Sequence, residues 1–237
     1  MTSLTPAQAQ FVESVVRLQP RVATFDCDGT LWSGDAGEGF FSWELEQGLV
    51  SKEIQRWARS RYADYRAGNV PEEIMCGEMV TMNRGLREEV VQQAADDYFP
   101  NGIVANIFPE MQELVRRLRD DGCDVWAVSS SNLWIIRAGM RYFDIRPERI
   151  LAAEAAVENG TILDRLTRMP SGPGKSEAIR EAIRGAPDCA FGNSIWDREM
   201  LAMSKHPFAI NPNPNLKEIA ITNSWRVYQP DTNHSGR

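Results

Sequence analysis

A chain of 237 residues has room for one large domain, or for a core carrying a smaller insert. Hydrophobic residues make up 43% and charged residues 25%, an ordinary globular balance, and no apolar run approaches the roughly 20 residues of a membrane span. The net charge of −7 disfavours a nucleic-acid partner, because an acidic surface repels a phosphate backbone.

The N-terminal stretch "MTSLTPAQAQFVESVVRLQP" is amphipathic and carries Glu13; it lacks the basic start and compact apolar centre of a signal peptide. "RVATFD" (21–26) then reads as a buried strand: short, apolar and closed by turn residues. From Trp32 to Phe108 the pattern changes. "EGFFSWELEQG", "SKEIQRWARSRYADYRAG", "PEEIMCGEMVTMN" and "REEVVQQAADDYF" all have helical spacing, with no convincing strand among them. "PEMQELVRRLRDDG" (109–122) predicts a helix with basic residues in its second half and a glycine stop. Beyond it, "CDVWAVS" (123–129), "RILAAE" (149–154), "DCAFGN" (188–193) and "PFAIN" (207–211) read as buried strands. "SEAIREAIRG" (176–185) and "SIWDREMLAMS" (194–204) read as helices. "VENGTILD" (157–164) places Asn-Gly between β-prone residues, a hairpin signal.

This alternation predicts an α/β fold: a Rossmann-like parallel sheet with helices on both faces, formed by 1–31 and 109–230. An all-helical cap over 32–108 interrupts it, and a disordered tail is expected over 231–237. The four cysteines (Cys27, Cys76, Cys123, Cys189) form no C-x-x-C pair, which fits a reduced, cytoplasmic protein with structural thiols. Cys27 is expected to point into the core. His206 and His234 are too isolated to form a site.

In a parallel sheet, ligands bind beyond the carboxyl ends of the strands. Asp26 and Asp28 follow the first strand there, where unpaired charge is costly. Ser129, Ser130 and Ser131 follow the second; Gly192, Asn193 and Ser194 follow "DCAF", with Asp197 a turn later. Lys175 lies in "SGPGKSE", which opens a helix. The set suits phosphoryl transfer. One carboxylate attacks phosphorus, and a second protonates the leaving oxygen and then activates water. Hydroxyls, a lysine and backbone N–H groups stabilise the equatorial oxygens, and Mg²⁺ offsets the repulsion between carboxylates and phosphate. Metal and substrate would then be the partners that the strand-end carboxylates lack. A nucleotide-binding P-loop at "GPGKS" is excluded, since Met169 stands where its first glycine belongs.

"DCDGTL", "AVSSSN", Lys175 and "AFGNSIWDREML", in that order, resemble the haloacid dehalogenase (HAD) superfamily. Together with "VENGTILD" they are most similar to its phosphoserine-phosphatase-like branch. The resemblance implies Asp26 as nucleophile and Mg²⁺ ligand. It implies Asp28 as general acid/base, with its backbone carbonyl on the metal. Ser129, the backbone N–H of Ser130 and Lys175 would hold the phosphoryl group, and Asn193 and Asp197 would occupy the acidic metal motif. Asn193 departs from the family pattern, which usually has Asp. The substrate implied is a small phosphorylated metabolite. In the branch an acidic residue at the spacing of Asp35 reaches a substrate amine; a cap for the helix near Gly37 is the other reading of Asp35.

Trp32, Phe40, Phe41 and Trp43 either line a pocket or pack a cap helix. Met79 stands where the branch has the arginine that pairs with a substrate carboxylate, with Arg84 or Arg87 as substitutes. Phosphoserine is therefore disfavoured against a phosphorylated amine without a carboxylate, such as phosphoethanolamine or phosphocholine. The rival readings are a HAD-like protein that binds phosphorylated ligands without turning them over, on account of Asn193, and a phosphotransferase. Dehalogenation is disfavoured because Asp28 is retained.

Overall fold

Val22, Ala23, Thr24 and Phe25 form β1 (Val22–Phe25), whose last three residues are fully enclosed. A strand covered on both faces has to be apolar along its whole length, which is why this run shows no alternation. In the computed structural model, which describes residues 4–230, six further strands join it. They are β2 (Asp124–Asn132), β3 (Ile150–Glu158), β4 (Thr161–Arg168), β5 (Cys189–Gly192), β6 (His206–Ile210) and β7 (Arg226–Tyr228). The sheet order is β4-β3-β2-β1-β5-β6-β7. All neighbours are parallel except the β3–β4 hairpin. The chain runs outward from β1 through β2 to β3, then returns to lay β5 on the other side of β1. That reversal opens a crevice at the carboxyl ends of β1, β2 and β5.

The core helices are α1 (Pro6–Val16), α6 (Pro109–Asp120), α7 (Leu133–Met140), α8 (Pro173–Ala182), α9 (Arg198–Ala202) and α10 (Pro214–Thr222). Helix α1 packs as a core element. Phe11 stacks on Tyr228 with centroids 3.7 Å apart, and Gln8 donates to the buried Glu110 at 3.0 Å. The helix expected over 194–204 is broken into a tight turn at Ile195–Asp197 followed by the short α9. The cause is local: Ser194 and Asp197 cap one another across that turn. Strand β2 runs on to Asn132, with irregular pairing after Val128.

Between β1 and α6 the chain forms α2 (Ala36–Gln47), α3 (Lys52–Arg66), α4 (Glu72–Thr81) and α5 (Glu88–Gly102). It leaves and returns through one neck: Trp32 bridges Ile107, Ser33 N–H donates to Asn106 at 2.9 Å, and Phe108 N–H donates to Leu31 at 3.0 Å. Phe40 of α2 and Val91, Ala95 and Phe99 of α5 join the main core around Trp32. Phe41, Leu45, Met75, Met79 and Met82 make a smaller core of their own. The hairpin turns at Asn159–Gly160, both with positive φ, and stitches onto the helical segment: Gly85 N–H donates to Ile162 at 2.8 Å and Glu88 N–H to Gly160 at 2.9 Å. The tail expected over 231–237 lies outside the described residues. Among the described residues, no helix is long and apolar enough to cross a membrane.

Candidate active site

Strand β1 ends at Phe25, so Asp26 emerges where the sheet stops. Its Oδ1 accepts from Lys175 Nζ at 2.7 Å and its Oδ2 from Thr30 Oγ1 at 2.8 Å. Burial first, and the nearby Asp197 charge second, push its carboxyl up to about 7, against the pull of Lys175 and Thr30. Gly29 must be glycine twice over: its φ is +73°, and a Cβ there would overlap the Asn193 amide.

Asp28 turns toward the helical segment. Its Oδ1 accepts from Trp32 Nε1 at 2.8 Å and from Ala36 N–H at 2.6 Å; its Oδ2 accepts from Ser131 Oγ at 2.6 Å. Burial, with the charge of Asp35 behind it, lifts its carboxyl to about 7, while Ser131 and the Ala36 amide oppose the rise.

Lys175 reaches the crevice from the first turn of α8 and is 1% exposed. Its Nζ donates to Asp26 Oδ1, to Asp197 Oδ1 at 2.6 Å and to the Val128 carbonyl at 3.0 Å, which uses all three protons. Burial alone would discharge it; Asp197 and Asp26 outweigh that and hold it above the ordinary lysine range. Asp197 is fully buried. Its Oδ2 accepts the N–H groups of Asn193 and Ser194, each at 2.9 Å.

A cavity of about 250 Å³ opens above these residues. Asp26, Asp28, Ser129, Ser130, Lys175 and Asn193 line its floor, as expected from the sequence, and Asp35 and Met79 line its upper wall. Asp35 fits both of its readings, since it also caps α2 by accepting Glu38 N–H at 2.7 Å. Three expectations need correction. Asp197 does not line the cavity; its oxygens accept from Lys175 and two backbone amides and brace the floor. Trp32 is fully buried under the floor as a donor to Asp28. Arg84 points away to Asp164 at 3.7 Å. Sequence reasoning also missed residues. Ser131, given no role of its own there, donates to the acid/base candidate Asp28. Glu38, Tyr62, Tyr65 and Glu72 line the wall, and nothing in their local pattern distinguishes them from other helix-surface residues.

The sequence model of haloacid dehalogenase-like hydrolases matches residues 23–202. The chain belongs to that family. A "probable phosphatase" of Mycobacterium tuberculosis is 26% identical over 221 residues, covering 88% of this chain and 76% of the relative. A "histidinol-phosphatase" of Neisseria meningitidis is 23% identical over 218 residues, covering 87% and 97%. Among solved structures, a protein of unknown function from Bordetella pertussis superposes with a TM-score of 0.77 at 19% identity, covering 87% of this chain and 97% of that one. A substrate-bound phosphoserine phosphatase superposes at 0.56 with 18% identity, covering 84% and 89%. These structural likenesses establish a HAD-like, phosphoserine-phosphatase-like fold.

Proposed function

We propose that this hydrolase is a Mg²⁺-dependent phosphatase of small phosphorylated metabolites, acting through a phosphorylated Asp26. The observation that carries the reading is the pairing of Asp26 with Lys175 at the end of β1, with Asp28 lining the same cavity. An Asp26 carboxylate oxygen attacks phosphorus; the ester P–O bond breaks, and Asp28, protonated, gives its proton to the leaving alkoxide. Asp28, now a carboxylate, takes a proton from water, whose oxygen attacks phosphorus. Phosphate leaves and Asp26 returns to its starting form. Forming the acyl phosphate removes the charge that Lys175 faces at Asp26, so its N–H turns to a phosphoryl oxygen. Ser129 Oγ and the Ser130 N–H hold the others.

The donors fit a hard cation. Lys175 is shared by Asp26 and Asp197, which leaves the Asp28 carboxyl with no cationic partner, and the cavity face offers oxygen ligands from Asp26, Asp28 and Asn193. The Asp26 carboxylate, the Asp28 carbonyl and the Asn193 amide oxygen would hold Mg²⁺, with water completing the shell. Bound there, Mg²⁺ supplies the charge that keeps Asp26 ionised and neutralises the phosphoryl oxygens. Residues 32–108 act as the cap that shields the reaction from bulk water. Four unpaired cysteines fit a reducing, cytoplasmic setting.

The test is phosphate release from an aryl phosphate and from a panel of metabolite esters that includes histidinol phosphate and phosphoserine, with Mg²⁺ or with EDTA. Release with Mg²⁺ that is lost in Asp26→Asn supports the reading; Mg²⁺-independent release, or an active Asp26→Asn, defeats it. One observation favours a second reading, ligand binding with little turnover: Asn193 brings a neutral ligand where a charged one would hold the metal more tightly.

A further inference from the structure

The cavity wall opposite Asp26 has a charge that the catalytic floor does not require. Asp35 opens α2 and Glu38 follows one turn later, where it accepts a hydrogen bond from the Tyr62 hydroxyl of α3. Glu72 opens α4. The rings of Tyr62 and Tyr65 stand 5.8 Å apart, tilted at 46°. All five side chains line the same cavity. Burial, the Glu72 charge and then the charges of Asp35 and Glu38 push the Tyr65 hydroxyl up to about 12, so the three acids act on one phenol.

Two helices, α2 and α4, therefore bring three carboxylates to one patch, and α3 adds the two tyrosines. Among the described residues that line the cavity, Lys175 is the only cation, and its three protons are already committed on the floor. Like charges brought together without a counter-ion cost free energy, and a cation placed between them offsets that cost. Tyrosine faces add attraction for an ammonium group. A substrate carboxylate would meet repulsion from all three acids and find no N–H⁺ partner.

We propose that the substrate's alcohol portion carries a cationic amine and no carboxylate, with Asp35, Glu38 and Glu72 binding that cation beside the Tyr62 and Tyr65 rings. This rests on the phosphatase reading for where the phosphoryl group sits. The cavity's volume limits the alcohol to a short chain or one small ring.

Binding, rather than turnover, decides it. Asp26→Asn protein with Mg²⁺ is titrated calorimetrically with phosphoethanolamine, ethyl phosphate and phosphoserine at one low ionic strength. Phosphoethanolamine should bind roughly tenfold more tightly than ethyl phosphate, with phosphoserine weaker than phosphoethanolamine. Adding Glu72→Gln should cut the amine-to-neutral ratio several-fold, which a merely structural role for Glu72 would not do. If Asp26→Asn does not fold by circular dichroism, the unmodified protein in EDTA takes the same three ligands.

Equal affinities, a reversed order, or no measurable binding of the amine ester overturns the proposal. If no ester is hydrolysed while the binding order holds, the phosphatase reading fails and the cation preference stands. If the aryl phosphate is hydrolysed while the order is reversed, the cation preference fails alone.

Discussion

The floor and the wall of the cavity are both polar, yet they are held in different ways. Asp26, Lys175 and Asp197 are nearly or fully buried and bonded to one another across residues far apart in sequence. Asp35 bonds a backbone amide in its own turn, and Glu38 bonds a single tyrosine hydroxyl of the next helix. A buried ionic network is most sensitive at its one cation, because removing Lys175 strands two carboxylates at once. The wall groups are better solvated and can exchange partners. Fixed chemistry sits where strand ends meet, and selection sits on helices that vary at low cost.

Breaking the floor should give the largest effects. Asp26→Asn should reduce phosphate release at least ~1,000-fold. Its melting temperature should stay close to that of the parent, because it removes one of the carboxylates crowding Lys175. Lys175→Met strands Asp26 and Asp197 without a cation and should destabilise the fold by about 3–5 kcal/mol in chemical denaturation. Adding Asp26→Asn to Lys175→Met should recover part of that loss; no recovery would mean that the network is not electrostatically coupled.

A buried carboxyl outside the floor sharpens the contrast. Glu44 in α2 is fully buried, and neither oxygen has a hydrogen-bond partner. Burial raises its carboxyl well above 4.5, and the facing Asn83 offsets only part of that. A carboxyl whose folded value is raised contributes stability below its unfolded value, and that contribution is lost as pH rises through the folded value. Glu44→Gln should therefore stabilise the protein by about 1–3 kcal/mol near pH 8, and the gain should vanish below about pH 4. Thermal melts of both proteins across that range read it directly.

Smaller effects follow at the rim. Asn193→Asp should lower the Mg²⁺ concentration for half-maximal activity several-fold, by adding a charge to the proposed metal shell. An unchanged Mg²⁺ titration would put position 193 outside that shell. Arg84→Ala removes an exposed pair whose partners are 45% and 67% accessible, and should change stability by less than about 0.5 kcal/mol with no effect on turnover.

The sequence alone carried the α/β alternation, the hairpin at Asn159–Gly160, the helical segment between β1 and α6, and the floor residues Asp26, Asp28, Ser129, Lys175 and Asn193. These were legible because parallel strands leave local signatures: short apolar runs that end abruptly, with chemistry confined to the next few residues. Tertiary structure alone decided which way those side chains face. Asp197 has the spacing of a ligand, but the capped turn at Ser194 directs its oxygens to two amides and Lys175. Trp32 has the composition of a pocket residue, but the neck between Leu31 and Phe108 folds it beneath Asp28. Glu38, Tyr62 and Glu72 come together from three helices whose relative placement no local pattern encodes, because it depends on how Phe41, Met75 and Met79 pack between them.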